Sequence, residues 1–282
     1  MPKLIVHCHI WYTSMWNELS SYLKNLKNIP HTLYITICED NLSLKNQILS
    51  FNPQAKIEIV PNIGFDIGPF IQFLHNINLS DYDYILKIHT KNNKGINIQK
   101  VGHTYLTRNR WVKLMFNSLL GSEQIIKHNL DVLTKSSTIG MIGSDYIIAD
   151  TFQSYKDIAE LIDPHMQKMG FGDVEYTKKF VAGTMFLCKA NLMQPILNAN
   201  YQITDFDNSN KNIHGGTLAH AFERLFGYIV TAQGQNIVGF DKSIKNDFIN
   251  FLYKLGRFIY QKKQTNKGKT VIKICKIPVY CH

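Results

Sequence analysis

No run of this sequence approaches the roughly 18 consecutive apolar residues that a membrane-spanning helix needs. Cysteine is scarce: Cys8, Cys38, Cys188, Cys275 and Cys281 are odd in number, widely scattered and never in a C-x-x-C pair. That distribution argues against a disulfide framework or a zinc ribbon, and reads as buried reduced thiols of a cytosolic protein. The opening residues, "MPKLIVHCHIWYTSMW", lack a small-residue cleavage site, so they read as a first strand and not a secretory signal. Internal repeats and low-complexity tracts are also missing. Acidic residues are in the minority, 21 against 31 Lys and Arg, for a formal net charge of +10.

The excess charge sits at one end. From Lys242 onward nine Lys and Arg257 face a single acid, Asp247, a net +9, while the other 21 bases and 20 acids nearly cancel. Basicity is therefore a property of the tail, and the body offers no basic, aromatic-studded face of the kind that tracks nucleic acid. A hydrophobic fraction of 45% over 282 residues is enough for one large domain, or for a domain with an appendage.

What is present is a regular alternation. "KLIVHCHIWY" reads as a strand, followed by a helix in which Trp16, Leu19, Leu23 and Leu26 share a face. "HTLYITICED" and "LSLKNQILSF" repeat the pair. "AKIEIVPN" is a strand ending at Asn62, and "GPFIQFLHNI" a helix with Pro69 near its first turn. "YDYILKIHT" is the next strand. This order predicts an α/β fold: a mostly parallel twisted sheet with helices on both faces, binding ligands at the carboxyl ends of its strands. Farther on, "RNRWVKLMFNSLLGSEQIIKHNLDVL" is helical with a break at Gly121, and a short strand lies in "STIGMIGSDYII". Another strand surrounds Gly183, and a helix ends at Gly227 before an apolar strand. The polar stretch Thr151–Glu175 reads as a loop over the site. The expected boundaries are a domain over 1–240 and a basic amphipathic extension over 241–282.

Several residues invite chemistry. In "NIGFDIGPF", Asn62 ends a strand, Gly64 permits a tight bend and Asp66 precedes a helix. Asp66 either caps that helix or holds a ligand hydroxyl, and one carboxylate has oxygens for both. In "KIHTK", Lys87 and His89 share one strand face and Lys91 lies beyond its tip. An enzyme handling a nucleotide diphosphate often places metal-binding carboxylates at such a tip; here it is cationic, suited to a diphosphate without one. Arg108 and Arg110 of "RNRW" either join it or form a solvated face. His220 and Glu223, three apart on a helix, are a general-base pair or a surface pair. "His7-Cys8-His9" makes a weak metal site. In the tail, Ile244, Phe248, Phe251, Leu252, Leu255 and Ile259 form one helical stripe that either packs on the domain or lies on an anionic membrane.

The segments "NIGFDIGPF", "YDYILKIHTKN", "LLGS", "IGMIGSDY", "FVAGTMFLCK" and "GTLAHAFERLFG", in that order, resemble the rhamnan synthesis protein F family of bacterial polysaccharide glycosyltransferases. The family pattern often has Arg at the position of Phe65 and Asp at that of His214 or Gly215. The resemblance implies a GT-A-like fold, with "KIHTK" where the usual D-x-D would stand. It implies a nucleotide-sugar donor, foremost dTDP-β-L-rhamnose, and a lipid-linked cell-surface glycan as acceptor. An α-rhamnosyl product from that donor requires inversion, hence one base: Glu223 oriented by His220, with Asp145 as second choice. Asn62, Gly64 and Asp66 would hold the donor, Lys87, His89 and Lys91 the diphosphate, and Gly183 and Thr184 would admit the acceptor. Mg²⁺ or Mn²⁺ is a candidate cofactor, with His89 a candidate ligand. The implied location is cytoplasmic, at the inner face of the bacterial membrane through the basic tail, with no nucleic-acid partner. The alternative is a non-catalytic, membrane-docked adaptor of a polysaccharide assembly complex.

Overall fold

The computed structural model describes residues 2–91, 98–150, 159–207, 217–264, 270–275 and 277–281. From the N-terminus run β1 (Leu4–Ile10), α1 (Trp16–Leu23), β2 (His31–Ile37), α2 (Leu42–Phe51), β3 (Lys56–Ile59), α3 (Ile67–His75) and β4 (Tyr84–His89). The Asn41 side chain starts α2 by accepting the Leu44 N–H, and Trp16, Leu19 and Leu23 bury the inner face of α1. A hairpin of β5 (Gln99–Val101) and β6 (Thr104–Leu106) leads into α4 (Arg108–Leu120) and α5 (Glu123–Lys135). The two helices part at Gly121, and each opens on a hydroxyl cap, Thr107 and Ser122 respectively. Then follow β7 (Ile139–Ile142), β8 (Ile148–Asp150), α6 (Ala159–Lys168), β9 (Lys179–Val181), β10 (Phe186–Lys189), α7 (Gln194–Asn198), α8 (Leu218–Ala232) and β11 (Asn236–Val238). The tail forms α9 (Ile244–Ile259) and three strands, β12 (Tyr260–Gln264), β13 (Thr270–Ile274) and β14 (Ile277–Cys281).

The main sheet has the order β11-β7-β10-β4-β1-β2-β3, and every pairing in it is parallel except those of β10. Every residue of β1 and β4 is buried, which requires cover on both faces. The cover comes in two groups: α1, α4 and α5 pack together, and α3, α6 and α8 pack together. The expected α/β class and mostly parallel sheet are thus present. No helix among the described residues is long and apolar enough to cross a membrane.

The structure corrects four local expectations. The helix through "AHAFERLFG" does not end at Gly227 but continues to Ala232. Gly227 is there because a Cβ would lie 2.2 Å from the Lys179 carbonyl oxygen, so the absent side chain lets β9 run against the helix. Gly183 is not within a strand; it turns the chain between β9 and β10. The stretch expected as a loop contains α6, while 151–158 lie outside the described residues. The tail is more than an amphipathic helix, since a three-stranded antiparallel sheet follows it.

Candidate active site

Side chains at alternate positions of β1 and β4 share a face, and the parallel register pairs His7 with Lys87 and His9 with His89. Four polar groups therefore line up on one buried sheet face. His7 rests on Phe70 and Phe73, which puts this face beneath α3. Burying such groups is costly unless they are bonded. Thr36 Oγ1 on β2 serves two of them, 3.1 Å from His7 Nε2 and 3.0 Å from His9 Nδ1. Burial holds the His7 pKa well down and pushes that of His9 down to about 3, so both rings are neutral. Cys8 projects to the opposite face, so His7, Cys8 and His9 cannot converge on a metal.

Lys87 is fully buried and does not reach the cleft, contrary to the expectation that it would face a diphosphate. Its Nζ donates to Asp66 Oδ2 at 2.5 Å, to the Thr184 carbonyl at 3.0 Å and to Thr184 Oγ1 at 3.3 Å. The ammonium also lies over the Phe70 and Phe226 rings, at 5.4 and 5.9 Å. The Thr184 hydroxyl donates to the same Asp66 oxygen. Asp66 stands at the cap position of α3 yet its side chain makes no capping bond. It belongs to this network instead, and among the described residues its Oδ1 has no protein hydrogen bond.

Burial would raise the Asp66 pKa, but the charges of His89 and Lys87 and the bonds from Lys87 and Thr184 more than offset it. Its carboxyl is held well below the ordinary carboxylate range. A depressed folded pKa gives stability that is present above the unfolded value and lost as pH falls toward the folded one. Denaturant titrations are therefore expected to show stability declining below about pH 4. Asp66→Asn should flatten that decline. An unchanged acid slope in the variant would count against the pairing.

The turn after β9 is strained and fully used. Gly183 has φ 91° and Thr184, a β-branched residue, φ 56°. Such a conformation at Thr184 costs on the order of 1–3 kcal/mol. The Gly183 N–H donates to Glu223 Oε1 at 2.7 Å, and its carbonyl accepts from His89 Nε2 at 2.9 Å. A Cβ on Gly183 would meet Met115 Sδ at 2.7 Å and Trp111 Nε1 at 3.1 Å. A side chain at this position would run into α4, so the turn requires glycine, while its backbone still borders the cleft. It aims Glu223 and His89.

These elements surround one cleft of about 1030 Å³ at the carboxyl ends of β1 and β4. Asn62, Gly64, Asp66, His89, Lys91, Gly183, Thr184, His220 and Glu223 all border it. Asp145 does not; its backbone N–H is held by Asp241 Oδ1 at 2.8 Å. His220 does not orient Glu223: its Nδ1 lies 2.5 Å from Thr217 Oγ1, and its ring meets Phe65 edge-on. Glu223 takes its orientation from the Gly183 N–H, with Arg224 at 3.7 Å from its other oxygen. The arginines of "RNRW" divide, Arg108 bordering the cleft and Arg110 bonding Asn246 of α9. Lys91 lies 4.4 Å over the Trp111 ring.

Sequence reasoning missed Trp11, Tyr12 and Asp207, which also border the cleft. The aromatic pair directly follows the first strand, where both backbone N–H groups donate to Thr90 Oγ1 at 3.0 Å. Asp207 ends "DFD", a D-x-D spacing that lies on no strand tip. Both His89 nitrogens are set against carbonyl oxygens, Gly183 at 2.9 Å and Thr90 at 3.0 Å. Among the described residues no three His, Cys, Asp or Glu side chains converge to hold a metal ion. The expected departures at His214 and Gly215 lie outside the described residues.

A family model described as Rhamnan synthesis protein F matches residues 1–235. The uncharacterized protein WxcX of Xanthomonas campestris pv. campestris, strain B100, is 23% identical over 243 residues, which cover 86% of this chain and 33% of WxcX. WxcX of strain ATCC 33913 gives the same identity and coverage. The chain thus spans about a third of the length of these curated relatives. Two crystal structures of glucosyl-3-phosphoglycerate synthase from Mycobacterium tuberculosis are also similar. The complex with Mn²⁺, UDP and glucosyl-3-phosphoglycerate is 7% identical with a TM-score of 0.32, covering 100% of this chain and 90% of that one. The complex with Mn²⁺, UDP and phosphoglyceric acid is 8% identical with a TM-score of 0.33, covering 100% and 89%.

Proposed function

This chain belongs to the rhamnan synthesis protein F family, and from that premise we propose that its cleft transfers a glycosyl residue from a nucleotide sugar to an acceptor hydroxyl. The observation that carries the reading is that Lys91, Arg108 and Glu223 border one cleft at the carboxyl edge of the sheet. Its volume of about 1030 Å³ suits a ligand of nucleotide-sugar size. The mostly parallel, two-sided sheet is in keeping with a GT-A-like architecture.

In this reading the acceptor oxygen attacks the anomeric carbon as the bond from that carbon to the diphosphate oxygen breaks. The electron pair leaves with the diphosphate, whose growing charge Lys91 and Arg108 neutralise. The acceptor proton passes to Glu223. The attack opposes the leaving group, so the anomeric configuration inverts. We take the donor to be dTDP-β-L-rhamnose and the acceptor to be a lipid-linked cell-surface glycan. Trp11 and Tyr12 offer aromatic faces to the donor base. Asp66, locked by Lys87 and Thr184, keeps a rigid carboxylate at the floor that can accept from a donor hydroxyl through Oδ1.

Thermal-shift screening of a nucleotide-sugar panel, with and without EDTA, tests this. One donor is expected to raise Tm by about 5 °C at a hundredfold excess over its Kd. Loss of that shift in EDTA would identify a metal-dependent donor complex. If no nucleotide sugar shifts Tm under either condition, the transferase reading fails and a non-catalytic adaptor takes its place.

A further inference from the structure

α9 is amphipathic in a direction that the body of the protein does not use. Asn246, Ile249, Asn250, Tyr253, Gly256 and Arg257 are half-buried against the domain. This side is clamped by polar contacts: Arg110 donates to Asn246, Arg257 donates to the Ile98 carbonyl at 2.5 Å, and the Tyr146 hydroxyl donates to Asp247 at 2.7 Å. The other side is the apolar stripe. Ile244 is 90% exposed, Phe248 59%, Phe251 58%, Leu252 47%, Leu255 43% and Ile259 48%. No residue of this helix is buried. The stripe therefore does not pack on the domain, which removes the plainer of the two sequence readings.

Charge states what covers it. At 100° per residue Lys245 and Lys254 fall about a quarter turn to either side of the stripe. The chain from Lys242 onward carries +9. An apolar stripe edged by lysines, with its polar face turned to the protein, matches a helix lying in the plane of an anionic bilayer. A second copy would bring a like charge against it. A polyanion such as RNA would leave six apolar side chains in water. We propose that the exposed stripe of α9 is a docking surface for an anionic phospholipid membrane. The apolar side chains enter the boundary between headgroups and acyl chains, and Lys245 and Lys254 reach the lipid phosphates. This goes beyond the transferase reading and stands or falls without it. It has a consequence for access, because the first turn of α4 sends Arg108 and Trp111 into the cleft and Arg110 to α9. Docking through α9 would keep the cleft beside the lipid surface.

The experiment is co-sedimentation of the full chain with vesicles of phosphatidylcholine alone and of phosphatidylcholine with phosphatidylglycerol. Two double variants run in parallel, Phe248→Glu with Leu252→Glu and Lys245→Glu with Lys254→Glu. All four positions are exposed, so circular dichroism and Tm should match the wild type. The wild type is expected to pellet with the anionic vesicles, less so at high salt. Either double variant should weaken that binding by about tenfold or more. Wild-type protein left in the supernatant, or a Phe248→Glu/Leu252→Glu variant that binds like wild type, overturns the proposal. So does a vesicle-free dimer, seen by sedimentation velocity, that the same variant dissolves.

Discussion

Replacing Glu223 by Gln is expected to lower glycosyl transfer by about 10²–10⁴-fold while donor binding stays nearly intact. The substitution is close to isosteric. The Gln carbonyl can still accept the Gly183 N–H that Glu223 Oε1 accepts at 2.7 Å, so the side chain keeps its direction. What disappears is the capacity to take a proton from the acceptor. Transfer measured with the donor identified by thermal shift gives the rate, and the same shift gives donor affinity. A companion His220→Ala variant separates the present geometry from the sequence expectation. Because His220 turns to Thr217 and Phe65, its loss should leave the pH profile of transfer unchanged. Loss of donor binding in Glu223→Gln would assign the residue a structural role. Transfer at the wild-type rate would remove it as the base.

The second large effect is on stability. Lys87→Met should destabilise the fold by about 3–5 kcal/mol, because it strips the Asp66 carboxylate of its buried counter-charge. The methionine fits the aromatic slot between Phe70 and Phe226, so little of the loss would come from packing. The double variant Lys87→Met/Asp66→Asn removes both charges and should recover much of the loss, a coupling that a double-mutant cycle reads directly. Urea denaturation of the four proteins measures it. A loss below about 1 kcal/mol, within the range of exposed pairs, would mean that the ammonium sits in water and not under the floor.

Much of the fold was legible because its causes are local. The order of strands and helices over the first ninety residues, the apolar faces of α1 and α9, and the break at Gly121 are all written within one turn or one strand. The shared face of Lys87 and His89 followed from the two-residue period alone, and the strand register bears it out. The errors fell where a distant segment intervened. Gly227 looked like a helix stop until the close approach of the Lys179 backbone explained it. Lys87 looked like a surface cation because nothing near it in sequence shows that the Asp66 carboxylate and the Thr184 carbonyl close over it.

The site divides the same way. The amino-acid order by itself determined that cations and carboxylates would gather at the carboxyl ends of parallel strands, and that a charged, striped helix would follow. Only the tertiary structure decided which charges meet the cleft, Lys91 and Arg108, and which are spent inside the fold, Lys87. It also decided that Gly183, forty residues away, aims Glu223 where His220 was expected to. Local periodicity sets the face on which a side chain emerges, whereas its protonation, partner and access to water depend on the segments that fold over it.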